Sequence, residues 1–299
     1  MRSERGVGTA FAVTSVGSVQ FGAALAATLF PRVGPLGTVT LRLVGASLAM
    51  TAVTRPWRVH WDRTNLRPAA LFGFVLATMN TCIYLAIDRL PLATVITLEF
   101  LGPLGVAVVT ATTWRQRGWA VPAAVGVALL GGSLNADDLL GVALALVAAL
   151  SWAAYILLSR RMGNSEDGLA GLCLASIMGA TVLVPIGFVA AGSSLVRPST
   201  VVLGLSVGVL SSAIPYSLDL LALRRLPTAV FGVLTSLNPA VAALAGLIVL
   251  GEHLPQTQLV GIAFVIAASG GITLSNRAPV AASPPPEVIS YATTSPGGP

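Results

Sequence analysis

The chain has 299 residues, of which 55% are hydrophobic and only 9% are charged. A water-soluble domain carries about a quarter of its residues as charges, so this chain cannot cover itself in water and lipid must be its solvent. The net charge of +6 comes from arginine alone, since the chain has no lysine. Those arginines stand in short segments between apolar runs and read as topology signals rather than as a nucleic-acid face, so no nucleic-acid partner is expected.

Ten apolar runs follow one another, near 9–30, 35–53, 68–87, 91–112, 118–133, 137–158, 168–191, 199–222, 227–250 and 256–275. At about 1.5 Å per residue each can cross roughly 30 Å of hydrocarbon, the fifth being the shortest. The breaks are charged or rich in proline and glycine, as at Pro31-Arg32, Arg55-Pro56, Asp88-Arg89, Arg160-Arg161 and Gly251-Glu252. The first run is too long for a signal-peptide core and nine more follow it, so it reads as a span. The expected fold is an all-α polytopic membrane protein with ten transmembrane helices. Residues 1–8 read as a cytoplasmic N-terminal tail. Residues 276–299, rich in Ser, Pro, Thr and Gly, read as a disordered cytoplasmic tail.

Arginine counts give the orientation. With a cytoplasmic N-terminus, thirteen arginines fall in inside segments, only Arg32, Arg89 and Arg197 fall outside, and Arg42 lies within a span. Cytoplasmic loops carry the excess of positive charge, so both termini are expected in the cytoplasm of a bacterial inner-membrane protein.

An internal repeat is visible. Arg89-Leu90-Pro91 recurs as Arg225-Leu226-Pro227, and the match continues at Ala93/Ala229, Leu98/Leu234, Leu101/Leu237 and Pro103/Pro239, all at one offset of 136. The offset pairs span four with span nine, so the unit is five spans. An odd unit must enter the membrane upside down in its second copy, and 9–133 and 137–275 are expected as two inverted five-helix repeats. Secondary transporters use this plan, with the site near the midplane.

A charge at the centre of a span costs at least about 2.5–3.5 kcal/mol and requires a reason. Arg42 in span two and Glu99 in span four both lie roughly 10–12 Å from the outer side. They are expected either to pair or to face one cavity. Asn80 and Tyr84 in span three reach a similar depth. Gln20 and Asn238 lie near the middle of spans one and nine, and Tyr155, Tyr216 and Asp219 in the inner half. The expected substrate-binding set is therefore Arg42, Asn80, Tyr84, Glu99, Gln20, Asn238, Tyr155 and Tyr216. Glu99 and Asp219 are the candidates for ion coupling. Arg42 offers a planar fork that fits a carboxylate, and Glu99 can accept from an ammonium or hold a proton.

Enzyme signatures are missing: the chain has no Walker loop, no HExxH and no Gly-x-Ser-x-Gly. Cys82 and Cys173 lie singly in apolar runs, without the spacing of a metal or redox site. No metal or other cofactor is expected, and the chain does not read as an enzyme.

Several stretches carry a family resemblance: Leu29-Phe30-Pro31, Thr40-Leu41-Arg42-Leu43, Met79-Asn80, Leu98-Glu99-Phe100 with Gly102-Pro103, Ile214-Pro215-Tyr216-Ser217-Leu218 and Leu226-Pro227-Thr228. In this order they resemble the drug/metabolite transporter superfamily with two EamA-type repeats, and within it the bacterial threonine/homoserine exporters. The resemblance spans about Gln20 to Asn276. It implies a secondary active exporter of small amino acids or related metabolites, driven by a proton or other ion gradient. Such exporters carry an acidic residue before the proline of span nine, where this chain has Asn238, so a proton-carrying role there is lost or falls to Glu99. Asp219 stands where they have another acid. The expected partners are a small-molecule substrate, an ion gradient and membrane lipid, with a homodimer left open. A same-fold transporter of a drug or sugar derivative, and a non-transporting membrane scaffold, are the alternatives.

Overall fold

A computed structural model describes residues 2–56, 63–131, 138–162 and 168–275. The 276–299 tail lies outside the described residues. Every described element is helical: α1 (Arg2–Ala27), α2 (Phe30–Thr54), α3 (Arg63–Ile87), α4 (Leu92–Glu99), α5 (Leu101–Val109), α6 (Trp114–Arg117), α7 (Ala120–Gly131), α8 (Leu139–Met162), α9 (Gly168–Ala191), α10 (Pro198–Gly208), α11 (Ile214–Leu223), α12 (Thr228–Thr235), α13 (Asn238–Ala245) and α14 (Gln256–Ser275). Single π-turns at Val209–Ala213 and Gly246–Leu250 interrupt two of the spans.

Nine helices among the described residues are long and apolar enough to cross a membrane. The one missing from the expected ten is the fifth run. Its described helix, α7, has 12 residues, about 18 Å at 1.5 Å per residue. Its two flanks nevertheless lie on opposite faces. On one face, Gln116 and Trp119, just before α7, donate to Ser275 at the end of α14. On the other, Gly141 at the start of α8 approaches Leu90 and Arg89. The helix α1 begins at Arg2, earlier than hydropathy alone places it.

Proline and glycine explain the irregular points. Proline disfavours the α region for the residue before it, and Gly34, preceding Pro35, takes φ 65° and kinks α2. Pro103 has no N–H and would crowd the carbonyl four residues back, that of Glu99. The fourth span breaks there into α4 and α5. Pro239 does the same to Thr235, and the ninth span breaks into α12 and α13. Each first half is eight residues long, follows a proline at ψ near 140°, and ends on a residue at φ −65° (Phe100 and Ser236). In the turns before them, Arg89 and Leu90 donate to the Ala86 carbonyl as Arg225 and Leu226 do to that of Ala222. The offset of 136 seen in the sequence thus recurs in backbone conformation.

Neighbour relations recur too. The helix α2 packs on α9 and α7 on α14, while α8 packs on α3 and α4 as α1 packs on α11 and α12. At the centre stands α4, all eight of its residues buried. Its Leu92, Val95, Ile96 and Leu98 share one core with Ala23 and Ala24 of α1, Ala148 of α8, Ala242 of α13 and Ile262 of α14.

Small residues set the closest approaches, as expected where lipid gives no hydrophobic drive between helices. A Cβ on Gly208 would lie 2.6 Å from backbone atoms of Arg42 and Ala46, so α10 and α2 touch backbone to backbone. Gly105 of α5 has nothing within 4 Å of its Cβ position. Overpacking typically costs about 1–3 kcal/mol. Gly208→Ala should therefore lower stability in detergent by that amount, while Gly105→Ala leaves it unchanged, as read by unfolding midpoints of the purified variants.

Candidate functional site

The π-turn in the eighth span organises the site. A π-turn places an extra residue in the helix and disturbs its hydrogen-bond ladder, and Pro215 removes a further donor. In hydrocarbon a backbone polar group without a partner costs several kcal/mol, and side chains from two other spans bond this segment. Ser18 on α1 donates its hydroxyl to the Leu210 carbonyl at 2.6 Å, and Arg42 on α2 donates Nη2 to the Ser211 carbonyl at 3.4 Å.

Arg42 is thereby fixed at depth. Its Nη1 donates to the Tyr84 hydroxyl at 3.2 Å, and its guanidinium stands 5.4 Å from the centre of the same ring. Tyr84 is fully buried, edge-on to Phe30 at 5.9 Å. One turn earlier on α3, Asn80 donates to the Leu76 carbonyl at 2.8 Å. Buried atoms without a hydrogen-bond partner here are Arg42 Nε, Asn80 Oδ1 and Ser211 Oγ.

Glu99 ends α4, where Pro103 breaks the span, and is 6% exposed. Its expected partner is Arg42 on α2. The two do not form a direct ion pair within 4.0 Å, the closest form of the expected pairing. The physical reason is that α3 packs against both α2 and α4, and its Tyr84 takes one arm of the guanidinium.

The two midplane amides meet. Gln20 Nε2 donates to Asn238 Oδ1 at 2.7 Å, and Asn238 Nδ2 donates to the Thr235 carbonyl at 2.7 Å. That carbonyl is the one released by Pro239, which gives Asn238 a structural task beside any other. Gln20 Oε1 is buried without a partner. Ser18, on the same helix as Gln20, and Arg42 bond adjacent carbonyls of one bulge.

Other expected residues stand apart. Tyr155 on α8 stacks on Phe72 of α3, centroids 4.8 Å apart. Asp219 lies on α11, four residues after Pro215, whose carbonyl accepts from the Ser15 hydroxyl of α1 at 3.4 Å. Tyr216 sits in α11, and its side chain lies outside the described residues. Sequence reasoning missed Ser15, Ser18 and Ser211. Their signal, a serine facing Pro215 or its preceding turn, is invisible until the π-turn is known. An apolar groove of about 540 Å³ lies between α5 and α8, lined by Leu101, Gly105, Leu146 and Leu150 among others. It holds no charged side chain, and the polar chemistry lies elsewhere. Among the described residues no cluster of His, Cys, Asp and Glu could hold a metal ion.

The pattern of the EamA-like transporter family matches residues 139–274. The threonine/homoserine exporter RhtA of Salmonella typhimurium is 43% identical over 266 residues, covering 88% of this chain and 90% of that protein. The exporter of the same name from Escherichia coli is 42% identical over 268 residues, covering 89% and 90%. One solved crystal structure superposes with a TM-score of 0.59 at 21% identity, over 93% of this chain and 99% of its own, which shows a shared fold. These relatives are transporters rather than enzymes. With such identity along most of its length, the chain belongs to the EamA-type drug/metabolite transporter superfamily, as a multi-pass bacterial inner-membrane protein that moves a small molecule.

Proposed function

We propose that the protein is a secondary active exporter of small amino acids of the threonine/homoserine kind, coupled to a proton or other ion gradient. The observation that carries this reading is the 43% identity, across nine-tenths of the relative's length, to a protein named as a threonine/homoserine exporter. The geometry is compatible with such a cargo. An amino acid presents a carboxylate and an ammonium. Arg42 keeps a buried Nε donor without a partner, and Asn80 Oδ1 and Gln20 Oε1 are buried acceptors without one. Leaving a buried polar atom unbonded costs about 1–3 kcal/mol, so a zwitterion that meets several of them gains on binding. In this reading Arg42 takes the carboxylate, Asn80 and Gln20 take donors from the cargo, and Glu99 exchanges a proton for the ammonium.

We read 9–133 and 137–275 as two inverted five-helix repeats, supported by the reciprocal packing and the shared offset. Both termini are read as cytoplasmic, supported by the arginine distribution. A reporter fused after Ser275 should accordingly behave as cytoplasmic; a periplasmic signal would overturn the orientation.

Export is tested by uptake into inverted vesicles against a panel of labelled amino acids, with and without a proton gradient. Saturable, gradient-stimulated threonine or homoserine uptake is the expected result, and uptake only of a drug or sugar derivative would replace the cargo assignment. Glu99→Gln should abolish gradient-driven transport while membrane insertion and melting behaviour stay near the parent's. Arg42→Ala strips the donor from Tyr84 and from the Ser211 carbonyl, which should cost about 1–3 kcal/mol. If Arg42→Ala combined with Glu99→Gln restores both stability and transport, the pair is structural and the site assignment fails.

A further inference from the structure

Glu252 is a carboxylate that the site above does not use. It lies in the short connection between the ninth and tenth spans, where the π-turn Gly246–Leu250 ends on Gly251 at φ 69°. Its backbone N–H returns to the Gly246 carbonyl at 3.1 Å. Its side chain is half-buried. It crosses to the first half of the chain, where both carboxylate oxygens accept from the backbone N–H of Leu92, at 2.9 and 3.2 Å. Leu92 is the first residue of α4, directly after Pro91. The first N–H groups of a helix have no partner inside it, and a carboxylate there also meets the positive end of the helix dipole. Burial pushes the Glu252 carboxyl upward, against the opposing pull of that N–H bond.

What Glu252 holds gives the contact its meaning. The segment α4 is a buried half-helix of eight residues, tied at one end by Glu252 and ending at the other in Glu99. At the offset of 136 the residue matching Glu252 is Gln116, which is bonded differently. Its amide oxygen accepts from the Thr112 and Thr113 N–H groups of its own turn, and its amide nitrogen donates to Ser275. The two faces are therefore closed by different chemistry, with the carboxylate tie on the face of Leu90 and Gly141.

We propose that Glu252 is a positioning residue: its bond to Leu92 latches the Glu99-bearing half-helix to the second half of the chain and holds the polar site closed on that face. This rests on the transporter reading given above. The latch must open each time the site is exposed on that side, and it fixes where Glu99 stands while the latch is shut.

The test reads opening without any cargo, so its failure is distinct from a failure of the export assignment. Thr94 lies two residues into α4 from Leu92 and is fully buried. In a background carrying Cys82→Ala and Cys173→Ala, Thr94→Cys is reacted with a membrane-impermeant thiol reagent in vesicles of each orientation. His253→Cys, an exposed neighbour of Glu252, marks the face in a parallel sample. Adding Glu252→Ala should speed labelling from that face about tenfold, the factor that loss of one charge-assisted hydrogen bond gives in an opening equilibrium. Leu92→Pro removes the donor at a first helical position, where proline is tolerated, together with a fully buried leucine side chain, and should speed labelling at least as much. Adding Glu252→Ala to Leu92→Pro should give no further increase over Leu92→Pro alone, because the bond it would break is already gone. Glu252→Gln, whose amide oxygen can accept the same bond without the charge, should label at a rate between those of the parent and the alanine variant. If one variant fails to fold the other answers, and Glu252→Asp, which keeps the charge and loses the reach, serves if both fail. The proposal is overturned by an unchanged labelling rate, by acceleration from both faces alike, by multiplying effects in the double variant, or by a glutamine variant as fast as the alanine one.

Discussion

In hydrocarbon a carbonyl that loses its helical partner must find another, because no bulk water is there to take its place. Much of the polar interior of this protein can be read as a consequence of that constraint. Pro103 and Pro239 take bonds from the carbonyls of Glu99 and Thr235, and Asn238 answers the second of these directly. The π-turn at Val209–Ala213 and Pro215 disturb a third span, and Ser18, Arg42 and Ser15 bond carbonyls along it. The broken helices and the polar side chains are one system. Each break needs donors, and each donor brought to the midplane creates a place where a polar cargo can compete.

That system also makes the interior suited to change. A buried guanidinium shared between a tyrosine hydroxyl and a backbone carbonyl at 3.2 and 3.4 Å is held by contacts at the long end of hydrogen-bond range. A carboxylate cargo offers shorter, charge-assisted partners. The packing around it is less forgiving: α4 is buried along its whole length, and α2 meets α10 backbone to backbone at Gly208. Motion is therefore expected to follow whole half-helices, divided at Phe100 and at Ser236–Leu237, rather than single side chains. The Glu252 tie sits at the end of one such segment.

The repeat offers a physical comparison between the halves. Local conformation is conserved closely where the sequence is: the Arg-Leu-Pro turns, the eight-residue half-helices and the breaks coincide at one offset. The halves diverge where chemistry is placed. Glu99 stands against Thr235, Gly102 against Asn238, and Gln116 against Glu252. A common scaffold thus carries its charge unequally.

The sequence by itself determined the solvent, the number of crossings to within one short helix, and the offset of 136 that recurs in backbone conformation. These follow from composition, hydropathy and spacing, which act along the chain and need no knowledge of neighbours. It could not say which way any side chain faced, because nearly uniform apolar helices carry little periodic signal when lipid and core are both apolar. Only the tertiary structure decided that Arg42 binds Tyr84 and Ser211 rather than pairing directly with Glu99, that Gln20 meets Asn238, and that Tyr155 stacks on Phe72 instead. The same holds for Glu252, which the sequence places in a connecting loop and the fold places on the first N–H of a buried helix 160 residues away. Contacts of that kind depend on where two helices cross, and that is fixed by close packing at glycines and breaks at prolines acting together.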